Sequence, residues 1–346
     1  MVPTSDSMSL AATDTDLKLS AIDKIFFVLS RRTATPPTGK RSQSHDPSEN
    51  PVRRRYHRNH PDRSSQRLFG YLHDSSRPPH PSPFKHVHGL ALSDDASFGF
   101  AATHAGLYRF PLTGTAPMTP VQVGEPQGGV RDDFMGLTSF DGALLASGHP
   151  LVVSDPPGAN LGLRQSTDAG VNWKSVSATS TADYHALTVG KDAGGRTVIY
   201  GLDSGSSTIS SSVDGGRNWT NGAALAARDI TADPAVPGTV YATTQSGVKI
   251  SRDSGQSFDP LADTPALYFL EAVPNQSGAT LVGIDIAGSV WAKITAQPWK
   301  KTGSIAGRAQ AIALTATTDP VILVSDESGI ATSRDFGATW RVVITP

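Results

Sequence analysis

Ser166-Thr167-Asp168-Ala169-Gly170-Val171-Asn172-Trp173 and Ser212-Val213-Asp214-Gly215-Gly216-Arg217-Asn218-Trp219 are two copies of one pattern, S-x-D-x-G-x-x-W. Ser333-Arg334-Asp335-Phe336-Gly337-Ala338-Thr339-Trp340 is a third. Ser251-Arg252-Asp253-Ser254-Gly255-Gln256-Ser257-Phe258 is a fourth, with Phe in place of Trp. The aspartates stand 46, 39 and 82 residues apart. The last gap is close to twice the others, so one copy between them has decayed. A period of about forty residues, in a chain of short apolar runs and turns, is the mark of a β-propeller. Each element of the pattern has a structural job. Ser and Asp side chains accept backbone N–H bonds in a tight turn. Gly170, Gly216, Gly255 and Gly337 allow a positive φ at little steric cost. Trp173, Trp219, Phe258 and Trp340 open the next strand and cover the apolar side of the hairpin.

With the period fixed, residues 84–346 divide into six similar units, which predicts an all-β fold, a six-bladed propeller. The units open on His88-Gly89-Leu90-Ala91-Leu92, Met135-Gly136-Leu137-Thr138, His185-Ala186-Leu187-Thr188-Val189, Asp229-Ile230-Thr231, Leu270-Glu271-Ala272-Val273 and Gln310-Ala311-Ile312-Ala313-Leu314. Second and third apolar runs follow in each, with period-2 patterning between Gly, Pro, Asp and Ser turns, which favours strands over helices. Units one and five lack a clean turn motif, although Trp291 and Trp299 mark where the fifth would lie.

Residues 1–83 read differently. They hold Pro-Pro pairs at 36–37 and 78–79, the run Arg53-Arg54-Arg55, and many Ser, His and Asp. That composition cannot bury enough apolar surface to offset the entropy of ordering, so a disordered basic segment is expected ahead of a propeller over 84–346. Its net charge is +5 against −6 for the rest. Nucleic acid is nevertheless not an expected partner, because the basic run reads as a solvated tail. Ile25-Phe26-Phe27-Val28-Leu29 is the only apolar stretch there, too short to span a membrane and without the flanks of a signal peptide. With no cysteine in the chain, disulfides, thiolate nucleophiles and Cys-ligated metals are excluded. No P-loop or dinucleotide fingerprint occurs.

The inner strand of each propeller blade and the turn after the second strand face the central channel, so chemistry is expected there. Aligning the units places His104, His149, Asp203, Thr244, Asp285 and Asp326 after the second strands. The openings add His86, His88, Asp183, His185, Asp229 and Glu271. Five of the ten histidines thus fall at matching places in the first three units. His88, His104, His149, His185, Asp203 and Asp285 are the candidate ligand or metal residues, since histidine and carboxylate around one axis suit a divalent metal or an acid–base pair. Polar groups also gather at channel mouths merely because water is there, or to bond neighbouring blades.

The repeated turn resembles the Asp-box, or bacterial neuraminidase repeat, of sialidases and other propellers. That resemblance implies a structural place on the outer rim for Asp168, Asp214, Asp253 and Asp335. His86-Val87-His88-Gly89-Leu90-Ala91, Thr103-His104-Ala105-Gly106-Leu107-Tyr108-Arg109, Ala146-Ser147-Gly148-His149-Pro150 and Asp183-Tyr184-His185-Ala186-Leu187 run in order. With the turns, they resemble an actinobacterial group of exported, sialidase-like "glycosylhydrolase" propellers. More distantly the chain is similar to sortilin-type receptors and photosystem II assembly factors, which bind proteins or peptides. The resemblance implies an exported or cell-envelope protein, while this chain shows no signal peptide.

Sialidases carry an Arg-Ile-Pro motif, an arginine triad, a Tyr–Glu pair and an Asp acid/base. No Arg-Ile-Pro occurs here, and Glu125, Glu271 and Glu327 are the only glutamates after residue 83. The expected function is therefore a binding or scaffold module, monomeric, holding a protein, peptide, glycan or metal ion at the channel mouth. The alternative is a glycoside hydrolase that uses His and Asp residues there.

Overall fold

Residues 84, 86–114, 117–124, 132–150, 160–177, 182–275, 278–294, 296–315 and 320–345 are described by a computed structural model. Residues 1–83, and with them the expected basic tail, lie outside the described residues, as does Glu125. The propeller falls within the compact unit His73–Pro346.

Six four-stranded antiparallel sheets follow one another along the chain, and every sheet is built from consecutive strands. Blade one is β1 (Val87–Leu92), β2 (Phe98–Thr103), β3 (Gly106–Pro111) and β4 (Val121–Val123). Blade two is β5 (Asp133–Phe140), β6 (Ala143–His149), β7 (Arg164–Ser166) and β8 (Lys174–Ser175). Blade three is β9 (Tyr184–Lys191), β10 (Thr197–Asp203), β11 (Thr208–Ser212) and β12 (Thr220–Ala224). Blade four is β13 (Ala227–Ala232), β14 (Val240–Thr244), β15 (Gly247–Ser251) and β16 (Asp259–Pro260). Blade five is β17 (Leu267–Asn275), β18 (Gly278–Asp285), β19 (Ser289–Ile294) and β20 (Lys300–Ser304). Blade six is β21 (Ala311–Leu314), β22 (Ile322–Asp326), β23 (Gly329–Ser333) and β24 (Arg341–Ile344). The first strands touch in a closed cycle, β1 to β5, β9, β13, β17, β21 and back to β1, so they line the axis. The six-bladed all-β architecture expected from the period is the one observed, and no helix occurs among the described residues.

There is no single core. Six apolar clusters form, each wedged between two adjacent blades. Period-2 alternation explains this directly. On β10, Val198, Tyr200 and Leu202 pack against blade four while Ile199 packs against blade two. On β22, Ile322 and Val324 face blade five and Leu323 faces blade one. Both faces are covered, which is why the second strands read as continuous apolar runs.

The repeated turn joins third and fourth strands, the outer pair of each blade. In the second copy, Ser212 Oγ accepts the Gly216 N–H at 2.8 Å and donates to Asp214 Oδ1 at 2.8 Å. Asp214 Oδ1 accepts the N–H groups of Arg217 and Asn218, and Oδ2 accepts Asn218 Nδ2. The Ser Oγ bonds and the Oδ1 bond from the residue four positions on recur at Asp168, Asp253 and Asp335. Trp219 stands one residue ahead of β12 and donates its Nε1–H to Gly216 O at 3.0 Å. Two consecutive residues of the turn are left-handed, not one: Ala169 and Gly170, Gly215 and Gly216, Ser254 and Gly255, Phe336 and Gly337. Backbone bonds from Asn172 and Asn218 hold the carboxyls of Asp168 and Asp214 down at about 2. Because the folded value lies below the ordinary one, their contribution is present above the ordinary carboxylate range and fades as pH falls through about 2. Ser212 is 2% exposed, so Ser212→Ala leaves the Gly216 N–H buried without an acceptor. The expected cost is about 1–3 kcal/mol, a fall of roughly 5 °C in Tm by scanning calorimetry.

The axis-facing edge of each first strand has no ladder partner, and a bare edge is both unsatisfied and adhesive. In blades one, three, four and five, side chains of the preceding blade bond it. Gln310 Oε1 accepts Val87 N–H at 3.0 Å, Ser147 Oγ accepts Tyr184 N–H at 3.0 Å, and Thr188 Oγ1 accepts Ala232 N–H at 3.1 Å. Asp229 Oδ2 and Thr231 Oγ1 likewise accept the N–H groups of Leu270 and Ala272. Between blades six and one the same device works with the Phe84–Phe110–Leu323–Ile344 cluster.

Candidate functional site

Near the start of the first strand, five consecutive blades carry a one-residue bulge. The residue left without a ladder partner is His88, Met135, His185, Arg228 and Tyr268 in turn. A bulge re-aims the extra side chain. Here it does so at one end of the channel, beside the turns that follow the second strands. Electrostatic influence runs across several blades at this end: His185 acts on His88, and Arg228 acts on His86, which stands just ahead of β1. The Arg228 guanidinium stacks over Tyr268 at 5.1 Å and Phe269 at 4.7 Å.

Two His–Asp–His groups stand on this mouth. At the junction of blades one and two, His104 Nδ1 lies 2.8 Å from Asp133 Oδ2, and His88 Nε2 lies 3.5 Å from Asp133 Oδ1. His86 packs edge-on against His88 with ring centroids 4.8 Å apart, and His104 does so at 4.2 Å. At the junction of blades two and three, Asp183 Oδ2 collects His149 Nε2 at 2.9 Å, His185 Nε2 at 2.9 Å and Ser204 Oγ at 2.6 Å.

Burial, reinforced by the charge of His104, drives the His88 imidazole down to about 4. It is neutral at physiological pH. Burial acts to raise the Asp183 carboxyl, but the bonds from His185, Ser204 and His149 outweigh it and hold the group well below the usual carboxylate range. Deeper along the blades, Asp229 and Glu271 lie on adjacent first strands. Burial pushes both carboxyls up, and the charge of Asp229 raises Glu271 further.

The six sequence candidates therefore separate. His88 and His104 meet on one carboxylate, and His149 and His185 meet on another. Asp203 belongs to a turn, where Oδ2 accepts Asp183 N–H and Oδ1 accepts Ser206 N–H. Asp285 is also a turn residue, accepting the N–H groups of Ala287 and Ser289 and the indole N–H of Trp291. Sequence reasoning missed Asp133, the centre of the first group. The parallel between Asp133-Phe134-Met135-Gly136 and Asp183-Tyr184-His185-Ala186 carried that signal. Three cavities of the described residues lie elsewhere. One of about 330 Å³ sits at the seam between Phe84, Val87, Gln310 and Ile330, and the other two lie around β22–β24.

No protein-family profile matches this sequence, and no curated protein matches it. By structure the chain is similar to a chain of a nidogen/laminin complex, at 14% identity and a TM-score of 0.52, covering 71% of this chain and 92% of that one. It is also similar to a GH74 enzyme from Niastella koreensis (15% identity, TM-score 0.41, 74% of this chain and 54% of that one). A third is YCF48 bound to D1 peptide (16% identity, TM-score 0.43, 76% of this chain and 82% of that one). The chain spans about half the length of the GH74 enzyme. At 14% identity the likeness to the nidogen/laminin chain concerns the fold alone.

Proposed function

We propose that residues 84–346 form an Asp-box propeller that acts as a binding module, holding a protein, peptide or glycan segment at the mouth where its five bulges converge. The observation that carries this reading is the convergence itself. Consecutive blades aim His88, Met135, His185, Arg228 and Tyr268 at one opening. Stacked aromatic and guanidinium groups beside half-exposed imidazoles suit recognition of planar peptide groups and sugar faces. Residues 1–83 are a separate segment that the ring does not need. A second reading, glycoside hydrolysis, is favoured by one feature. Asp229 and Glu271 are two neighbouring carboxyls with raised pKa, and an acid kept protonated near neutrality is what glycosidic cleavage uses.

One experiment separates the readings. The full chain and an Arg228→Ala/His185→Ala variant are offered an oligosaccharide array and a random heptapeptide display library. 4-Nitrophenyl glycosides are assayed in parallel on the parent and on Glu271→Gln. Captured ligand that the double variant loses while its Tm is kept is the expected result. Glycoside turnover abolished in Glu271→Gln would replace the binding module with a hydrolase. Capture undiminished in the double variant would move the site off this mouth.

A further inference from the structure

The two His–Asp–His groups look alike but differ in one respect. Asp183 gathers three donors on Oδ2, His149 from blade two and His185 and Ser204 from its own blade, while its Oδ1 is buried without a hydrogen bond. Asp133 receives a hydrogen bond from His104 of blade one. The position in its own blade that corresponds to His185 is Met135, which has no proton to give. An orphaned Oδ1 is common to both groups, but in the first a buried imidazole nitrogen is unpaired as well: Asp133 Oδ1 and His88 Nε2 are both buried and both without a hydrogen bond. They face each other at 3.5 Å.

That spacing is too long for a hydrogen bond. It is close to the separation of two ligand atoms on one tetrahedral ion, about 3.3–3.5 Å when each bond is about 2.0–2.2 Å. The ligand atoms of His88, His104 and Asp133 all lie within 4.8 Å of one another. Leaving a buried imidazole nitrogen and a buried carboxylate oxygen unpaired is costly, and a cation between them satisfies both at once.

We propose that His88 Nε2, Asp133 Oδ1 and His104 Nδ1 bind one divalent transition metal ion of the zinc class, the ion replacing the proton that His104 Nδ1 shares with Asp133 Oδ2, which is released to solvent. Two imidazoles and one carboxylate select Zn2+, Co2+, Ni2+ or Cu2+ over Ca2+ and Mg2+, which require all-oxygen cages. Three protein ligands leave the fourth position open. His104 is the solvent-facing member of the three, its side chain 60% exposed, so the open position lies toward the mouth. The ion deepens the binding-module reading and rests on it, because it supplies a Lewis-acidic anchor for an oxygen or nitrogen donor of whatever seats there.

The test uses Co2+ as the probe on the full chain after chelator treatment, with visible d–d absorption reporting tetrahedral nitrogen and oxygen ligation and elemental analysis giving the stoichiometry. Five further histidines, His45, His57, His60, His73 and His80, lie in the first 83 residues, so the decisive quantity is the difference between parent and variants. The parent is expected to hold one equivalent more than His88→Gln, Asp133→Asn or His104→Ala, with affinity for that equivalent weakened at least about 100-fold. His149→Gln keeps it. His104→Ala changes an exposed side chain, so at least one informative variant folds, and circular dichroism checks the others. A parent without the extra equivalent overturns the proposal. So does an equivalent that survives both His88→Gln and Asp133→Asn, or one lost only in His149→Gln. Peptide or glycan capture at the mouth without cobalt binding sinks the ion and leaves the module standing. Loss of both sinks both.

Discussion

Phe110→Ala is expected to lower the melting temperature by roughly 10 °C. Phe110 is fully buried at the closure of the ring, in the cluster that joins β1–β3 to β21–β24. Its ring occupies the space that a side chain at position 99 would fill. A Cβ on Gly99 would come within 2.4 Å of Phe110 Cε2 and 3.2 Å of Leu323 Cδ2. Glycine at 99 and phenylalanine at 110 are therefore one packing decision. Phe→Ala in such a site costs about 3–5 kcal/mol through lost burial plus cavity. At about 2–4 °C per kcal/mol for a domain of this size, the shift follows. Differential scanning calorimetry reads it. A fall of less than about 3 °C would show that closure does not depend on this wedge.

Gly136→Val should be nearly as damaging, and for a different reason. Gly136 of β5 lies directly against the backbone of β9. A Cβ there would lie 2.4 Å from the backbone carbonyl of Tyr184 and 3.4 Å from Leu187 Cγ. A backbone oxygen cannot step aside as a flexible side chain can. Overpacking costs about 1–3 kcal/mol for modest insertions, and the two extra methyls of valine add to it. The displaced carbonyl lies between Asp183 and His185, so the variant should disturb the carboxylate hub as well as the fold. Calorimetry and the ring-proton NMR shifts of His149 and His185 are the paired readouts. A Gly136→Val protein that melts within about 1 °C of the parent and keeps those shifts would refute this account of the contact.

The fold was legible because its determinants are local. Four copies of a turn whose Ser, Asp and Gly bond their own backbone fix the period, and period-2 apolar runs fix the strands. The candidate site was legible only in part. His88, His104, His149 and His185 stand out because histidine is scarce in the blades and recurs in phase. Asp133 did not stand out, since Met135 replaces the histidine that would have made its blade match the third. Bulges hide a second point. His104 and His149 lie one step beyond the register position of Asp203 and Asp285, because in blades one and two that position is taken by Thr103 and Gly148. An alignment by spacing put all four in one column. Asp203 and Asp285 instead turn back to cap free N–H groups, an outcome set by which donors the tertiary structure leaves open.

Each blade is made of contiguous chain, and the contact between the last blade and the first uses the same means as the junctions of blades two and three, three and four, and four and five: an apolar wedge and a side-chain oxygen on the neighbour's bare N–H. Gln310 does for Val87 what Ser147 does for Tyr184. No strand is exchanged to lock the circle. The molecule is thus a cycle written out in one of several equivalent orders. Circular permutation, with new ends between any two blades and a short tether from Ile344 back to Phe84, would move the break without altering a sheet, a bulge or the mouth they build.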